Sequence, residues 1–361
     1  MAARAIGIDA VELRQRNTLA PDALPFKTCM GDHFDCGDFP GNLEDALSAA
    51  GYGDLITRRA DAKARGKLLG IGTSNSITGV ANTNFEHVEI RFDTSGGVTL
   101  LSGAMDHGQG HGTTFKQVLS DRLGVDPGNV TYRYGDTDKV AHGVGTFNAR
   151  VAVFVSAAIV EAADKIIEKG SRIAAHLLEA ADSDIEFADG TFTVAGTDRM
   201  ISLEDVAKAA FVKPKLPADI EPGLYEYGQF GASPGEGSTF PNGVHVAEIE
   251  IDEDTGTVEL VRYTAVDDAG TILNPLLFDG QIHGGIVQGV GQILMEDVNY
   301  DRESGQLVSA SFMDYCMPRA DDFCDFNIAA KEIPTARNPL GVKGVGESGT
   351  VGAMPAVMNA V

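Results

Sequence analysis

The sequence predicts an α+β fold in which two related hairpin-plus-helix halves pack mixed sheets against helices. Two hairpin patterns and a shared continuation carry that prediction. FEHVEIRF and GVTLLSGAMD flank the turn residues DTSGG, so residues 85–106 read as a hairpin. GVHVAEIEID and TVELVRYTAVDDAG flank EDTG, so residues 243–268 read as another. Each ends at an aspartate, Asp106 or Asp268, and runs through a glycine-bearing loop into a helix. In the first half that helix is TTFKQVLSDRLG; in the second it is the glycine-spaced GQIHGGIVQGVGQIL. The likeness between the halves is coarse.

The remaining elements follow in order. Residues 2–17 have helical spacing and no apolar signal core. Residues 149–181 form a long helical stretch with a break predicted at Gly170. SDIEFADGTFTVAG reads as a small hairpin, and Ser202 with Asp205 caps a short helix through Ala210. Residues 212–242, rich in Pro and Gly, read as a linker, which assigns 1–211 to the first half and 243–361 to the second. PAVMNAV predicts a helix starting at Pro355 and stopping after about two turns. The two chain ends together suggest a portion of a longer polypeptide.

Composition excludes several function classes. With 28 basic and 52 acidic residues the net charge is −24, which opposes long-range attraction to nucleic acid or anionic membrane. No apolar run approaches the roughly 18 residues of a spanning helix, so cytoplasm is the expected location. Cys29, Cys36, Cys316 and Cys324 form no CxxC pair and read as reduced thiols.

The glycine loops carry the chemistry. GVGESG, residues 344–349, matches the dinucleotide fingerprint, but TARNPLGVK before it is no apolar strand and no acid follows about 20 residues later. A Rossmann unit is therefore rejected, and no GxxxxGK[ST] phosphate loop occurs. HGQGHGTT (107–114), GVGTFNAR (143–150) and GQIHGG (280–285) each read as a helix start. Gln109 in the first, Thr146, Asn148 and Arg150 in the second and Gln281 in the third add polar groups. Three such N-termini suit a large, multiply anionic ligand such as a pyrophosphate-bearing cofactor. His107, His111 and His142 lie near these loops, yet no HExxH or Cys/His pairing makes them zinc ligands. Glu347 is the single acid of the last glycine loop. It points into water, or sits beside a phosphate cradle, or is presented to a reactant by a backbone that its glycines shape.

HGQGHGTTFKQVLSDRLGV, YGDTDKVAHGVGTFNAR, NPLLFDGQIHGGIVQGVGQ, SFMDYCMPRA and NPLGVKGVGESG, in this order, resemble the molybdenum-cofactor-binding large subunit of the xanthine oxidase family. The bacterial group that includes aerobic carbon monoxide dehydrogenase is the most similar, and the resemblance covers residues 1–361 as the C-terminal portion of that subunit. It implies a molybdenum hydroxylase that binds molybdopterin cytosine dinucleotide, with the molybdenum held by the cofactor's dithiolene and by no protein ligand. Water-derived oxygen would enter a small substrate, and electrons would pass to an iron–sulfur small subunit and an FAD-binding medium subunit. The N-terminal half of the large subunit would be a further partner, and this portion alone is expected to be inactive.

By motif match Glu347 would be the catalytic base. Gly108, Gln109 and Gly110 would lie near the oxo ligand or the pterin, and Thr146, Asn148, Ala149 and Arg150 would line the pterin. Asp268 and Gln281 would meet the dinucleotide, Lys343 would orient the last loop, and Gly346 would let its backbone approach the metal centre. FNAR departs from the small Gly-Ser type residues frequent at that place, which leaves the pterin contacts open. The alternative is a noncatalytic portion that binds cofactor or partner without turnover. Carbon monoxide, aldehydes, purines and N-heterocycles all remain open as substrates.

Overall fold

The computed structural model describes residues 2–81, 84–232 and 238–361. The chain forms two compact units, one of residues 1–80, 239–336 and 341–361, the other of 81–238 and 337–340.

The first unit is built on a four-stranded sheet. Strand Asn242–Asp252 lies between Val258–Asp268 and Lys67–Ile77, antiparallel to both, and Phe326–Lys331 adds in parallel to Val258–Asp268. Both faces are covered, so residues 242–250 are buried without interruption. Val244, Val246 and Val266 pack with Leu43 and Ala46 of helix Phe39–Ala49. Ala247, Ile249 and Ala265 face the other way, in one core with Ile282, Ile286, Ala353 and Val357. The sequence places residues 1–80 with 81–211; here they join the unit of the second hairpin, because Lys67–Ile77 pairs with Asn242–Asp252 along its whole length.

Two helices of this unit start earlier than the sequence predicts. The glycine-spaced helix is Pro275–Leu294, with Asn274 Oδ1 accepting from Leu277 N at 3.0 Å and proline in the first turn. Gln281 therefore lies inside the helix and heads no N-terminus. The last helix is Ser348–Ala360 and contains Pro355 in its interior. A proline removes one helical hydrogen bond, but backbone packing holds the early turns. A Cβ on Gly349 would sit 2.8 Å from Ile286 N, and one on Gly352 would collide with the His245 ring. On the side of strand Lys67–Ile77, a Cβ on Gly72 would collide with the Ala356 carbonyl.

The second unit carries the first hairpin. Its sheet runs Tyr225–Gly231, Phe85–Phe92, Val98–Ser102, Val130–Tyr134, antiparallel at the first two pairings and parallel at the last. The long helix Val151–Leu178 packs on this sheet and is continuous through Gly170, where the predicted break is absent. That glycine is instead a contact: a Cβ there would sit 2.6 Å from the Phe192 ring. Strand Tyr225–Gly231 falls inside the predicted 212–242 linker, of which residues 233–237 lie outside the described residues. The small hairpin forms Ile185–Ala188 and Thr191–Val194, and Ser202 caps Leu203–Ala209 by accepting from Asp205 N at 3.1 Å. Among the described residues no helix is long and apolar enough to cross a membrane, and the four cysteines are free thiols.

Candidate functional site

In the unit of the first hairpin, two glycine loops lead into helices. The first turns into helix His111–Leu123 through Gly110, whose φ of +80° is left-handed. Asp106 accepts from Gly108 N and Gly112 N, both at 3.0 Å, so a carboxylate of the chain itself already occupies this helix N-terminus. Burial works against that charge, yet the Gly112 and Gly108 amides hold the Asp106 carboxyl below the usual carboxylate range. Gln109 folds back on the loop, its Nε2 3.1 Å from Met105 O and 3.2 Å from His111 Nδ1. His111 is buried and stacks on Phe115; burial pushes its pKa down, as suits a neutral ring. Among the described residues no group of His, Cys, Asp and Glu is arranged to hold a metal ion.

The second loop, 143–150, leads into the long helix. Its start is pressed against the hairpin, for a Cβ on Gly103 would collide with Gly143 Cα. Thr146 Oγ1 donates to Met105 O at 2.7 Å. Asn148 and Ala149 both have positive φ, +50° and +44°, an uncommon conformation for residues with a Cβ. Arg150 is fully buried between the rings of Phe147 and Phe154, 5.3 and 4.9 Å from their centroids. It is no surface donor: Nη1 donates to Glu86 Oε1, the same oxygen that accepts from Val144 N at 3.2 Å. Glu86 Oε2 and Arg150 Nε and Nη2 have no partner among the described residues.

In the unit of the second hairpin, Asp268 and Lys343 are also fully buried. Lys343 Nζ donates to Asp268 Oδ2 at 2.6 Å, and Asn242 Nδ2 donates to the same oxygen at 3.1 Å. Asp268 Oδ1 accepts from Gly270 N at 2.9 Å and Ile333 N at 3.2 Å. These four hydrogen bonds within the chain seat residues 341–343, where Lys343 N also donates to Ala269 O at 2.8 Å. Beyond Lys343 the chain rises to the surface. Gly346 and Glu347 are exposed, and Glu347 is the N-cap residue of the last helix, its carbonyl accepting from Val351 N at 3.0 Å. A carboxylate here gains from the positive end of the helix dipole. Gln281 is half-buried on the neighbouring helix, where Gly280 and Gly284 have open space around them.

A profile of the molybdopterin cofactor-binding domain family matches residues 45–324. The chain belongs to that family. It is 32% identical over 380 residues to the carbon monoxide dehydrogenase large chain of Afipia carboxidovorans, covering 99% of this chain and 46% of that one. CO dehydrogenase from Oligotropha carboxidovorans superposes with a TM-score of 0.91 at 31% identity, over 99% of this chain and 46% of that one. Quinoline 2-oxidoreductase from Pseudomonas putida 86 gives 0.91 at 34%, over 99% and 47%. The family that the five motifs resemble is thus the one found, and the chain spans about half the length of the relatives it matches.

The residues present fit a molybdopterin group. Gly108 and Gly145, at φ +108° and +103°, would have nothing within 4 Å of an added Cβ, so backbone there is open to a ligand beside Gln109 and Thr146. With Asp106 in place, the 107–110 loop suits the neutral hydrogen-bonding edges of a pterin better than a phosphate. Of the expected site residues, Gly108, Gln109, Gly110, Thr146, Asn148 and Ala149 share one pair of loops. Gly346 and Glu347 share another. Arg150, Asp268 and Lys343 lie beneath the loops as buried charges. Glu86 escapes a motif search, but its parity reveals it: Glu86, Val88, Ile90 and Phe92 are all buried on one strand, and an acid in such a row needs a cation.

Proposed function

We propose that this chain is the part of a molybdenum hydroxylase large subunit that holds molybdopterin cytosine dinucleotide and supplies the proton acceptor of the reaction. When bound, the cofactor supplies oxygen insertion from water and takes up two electrons, with the molybdenum held by the dithiolene. Gly108, Gln109, Gly110, Thr146, Asn148 and Ala149 present backbone and neutral polar groups to it. Arg150, Asp268 and Lys343 fix the loops from below. Glu347 accepts the proton released as a small substrate is oxidised. Iron–sulfur and FAD subunits receive the electrons, and sequence equivalent to the other half of the relatives' length completes the enzyme.

The observation that carries this reading is the placement of Glu347: an exposed acid at the tip of a glycine loop, on a helix anchored backbone-to-backbone, in a chain of this family. Glu347→Gln in the assembled complex tests it, with molybdenum content and reductive half-reaction rate measured on one preparation. The rate should fall by about 10² to 10⁴ at full molybdenum. Full molybdenum with an unchanged rate would refute the base, and loss of both would reassign Glu347 to holding the cofactor.

A further inference from the structure

The loop at 143–150 closes on itself through one ion pair. Glu86 Oε1 accepts from Val144 N, at 3.2 Å, and from Arg150 Nη1. That nitrogen carries two hydrogens, and it also donates to the Gly145 carbonyl at 3.0 Å. The entry of the loop, its exit and the strand Phe85–Phe92 therefore meet at a single oxygen and a single nitrogen. The approach to the loop is held by the same strand, for His142 stacks on Phe85 with ring centroids 4.2 Å apart.

Beyond that neck the backbone has a shape it would not keep unaided. Gly145, Asn148 and Ala149 have φ of +103°, +50° and +44°, and the last two carry a Cβ. Residues in such conformations persist only where their surroundings over-determine them. The backbone ties inside the loop are long: Arg150 N donates to Phe147 O at 3.3 Å, and Ala81 N to Asn148 O at 3.4 Å. Hydrogen bonds to a charged acceptor are the stronger kind, and Glu86 accepts two of them at the neck.

We infer that Glu86 is a positioning residue for the cofactor: from beneath, its Oε1 fixes the shape in which Gly145 and Thr146 face a ligand, and fixes it before a ligand arrives. The inference rests on the proposed role of that loop as a pterin contact. Glu86 is fully buried and touches no reactant, so its effect passes through Val144 and Arg150. A loop shaped in advance lowers the ordering cost of binding. Without the neck a smaller fraction of chains is competent to bind, and affinity falls in proportion. The consequence is weaker retention of the cofactor, with no change in the rate of those sites that hold it.

Two variants separate positioning from plain stability. Glu86→Gln keeps an oxygen for Val144 N and Arg150 Nη1 but leaves a buried guanidinium without its counter-charge, so the urea midpoint should fall while the loop keeps its shape. Glu86→Leu with Arg150→Met removes the neck and both charges together, so the midpoint should fall less while the loop loosens. Hydrogen exchange of the full chain reads the loop directly, at labelling times over which helix Val151–Leu178 stays protected. Peptides over 143–150 should exchange about tenfold or more faster in the double variant, the effect of losing hydrogen bonds to a charged acceptor, and at the wild-type rate in Glu86→Gln. In the assembled complex, molybdenum content should fall several-fold in the double variant and hold in Glu86→Gln, with the rate per bound molybdenum unchanged in both. Unchanged loop exchange or full molybdenum in the double variant would overturn the inference, as would a loop equally loose in both variants. The double variant decides alone if Glu86→Gln does not fold. A wild-type complex without molybdenum would sink the proposed function, and the exchange pattern would still decide whether Glu86 shapes the loop.

Discussion

Two fully buried ion pairs tie glycine loops to sheet strands, and they are satisfied very differently. Asp268 meets Lys343 with both oxygens engaged, by an ammonium, a side-chain amide and two backbone amides. Glu86 meets Arg150 through one oxygen only, and the other oxygen and two guanidinium nitrogens lack partners among the described residues. Desolvating two charges costs several kcal/mol per ion, and attraction offsets it only when the remaining hydrogen-bonding positions are filled. The Asp268 pair is thus a scaffold. The Glu86 pair, with spare donors under a strained loop, holds unused capacity beside the residues proposed to line a pterin.

The sharpest way to break this contrast is to remove one partner of the filled pair. Asp268→Ala would strand the buried Lys343 ammonium and the amides of Gly270 and Ile333. The expected loss is about 3–5 kcal/mol, read as a lower urea midpoint of the isolated chain. A loss below about 1 kcal/mol, the range of an exposed pair, would mean that Asp268 is not the scaffold described.

Replacing both partners separates the two pairs further. Asp268→Leu with Lys343→Met should cost about 2–4 kcal/mol, because two backbone amides still lose their acceptor. Glu86→Leu with Arg150→Met should cost less, about 1–2 kcal/mol, since a poorly satisfied pair exchanged for apolar groups of similar size is often neutral and what remains is the lost partner of Val144 N and of the Gly145 carbonyl. Parallel urea melts read both, and equal costs would erase the distinction.

A smaller effect tests the helix that the scaffold leads into. Gly352 faces the ring of His245, which is fully buried, with Nδ1 2.7 Å from Tyr263 Oη and Nε2 3.1 Å from Asp267 Oδ2. The ring is held at both nitrogens and cannot swing aside. Gly352→Ala should therefore cost about 1–3 kcal/mol by overpacking, whereas an ordinary helical Gly→Ala stabilises by up to about 1 kcal/mol. A stabilised variant in thermal melting would show that the helix has slack.

How much of this was legible beforehand follows from where each signal lives. Both hairpins and the helix after Gly110 were visible because period-two alternation and turn residues are local. The starts at Pro275 and Ser348 were misplaced for different reasons. Asn274 followed by Pro275 is a start signal that the sequence does carry, whereas Pro355 as a helix start is a local rule overridden by packing against Gly72 and His245. The buried pairs were invisible as pairs: Glu86 and Arg150 are 64 residues apart and Asp268 and Lys343 are 75 apart. That Arg150, Asp268 and Lys343 are fully buried and paired with other charges of the chain is likewise a matter of tertiary structure alone.

The smallest effect bears on the strain of the 143–150 loop. Ala149 at φ +44° holds a conformation that costs a residue with a Cβ roughly 1–2 kcal/mol. Glycine relieves that cost but gives back about 0.4–1 kcal/mol through the greater freedom of its unfolded chain. Ala149→Gly should therefore stabilise the chain by about 0.5–1 kcal/mol. The glycine loop at 344–347 offers no such gain at its acid, because Glu347, at φ −112°, is unstrained. The gain should also loosen the loop above Arg150, so molybdenum retention in the assembled complex should fall while thermal stability rises. Opposite signs in the two measurements identify strain kept for the ligand; a rise in both would make the left-handed alanine a mere accident of packing.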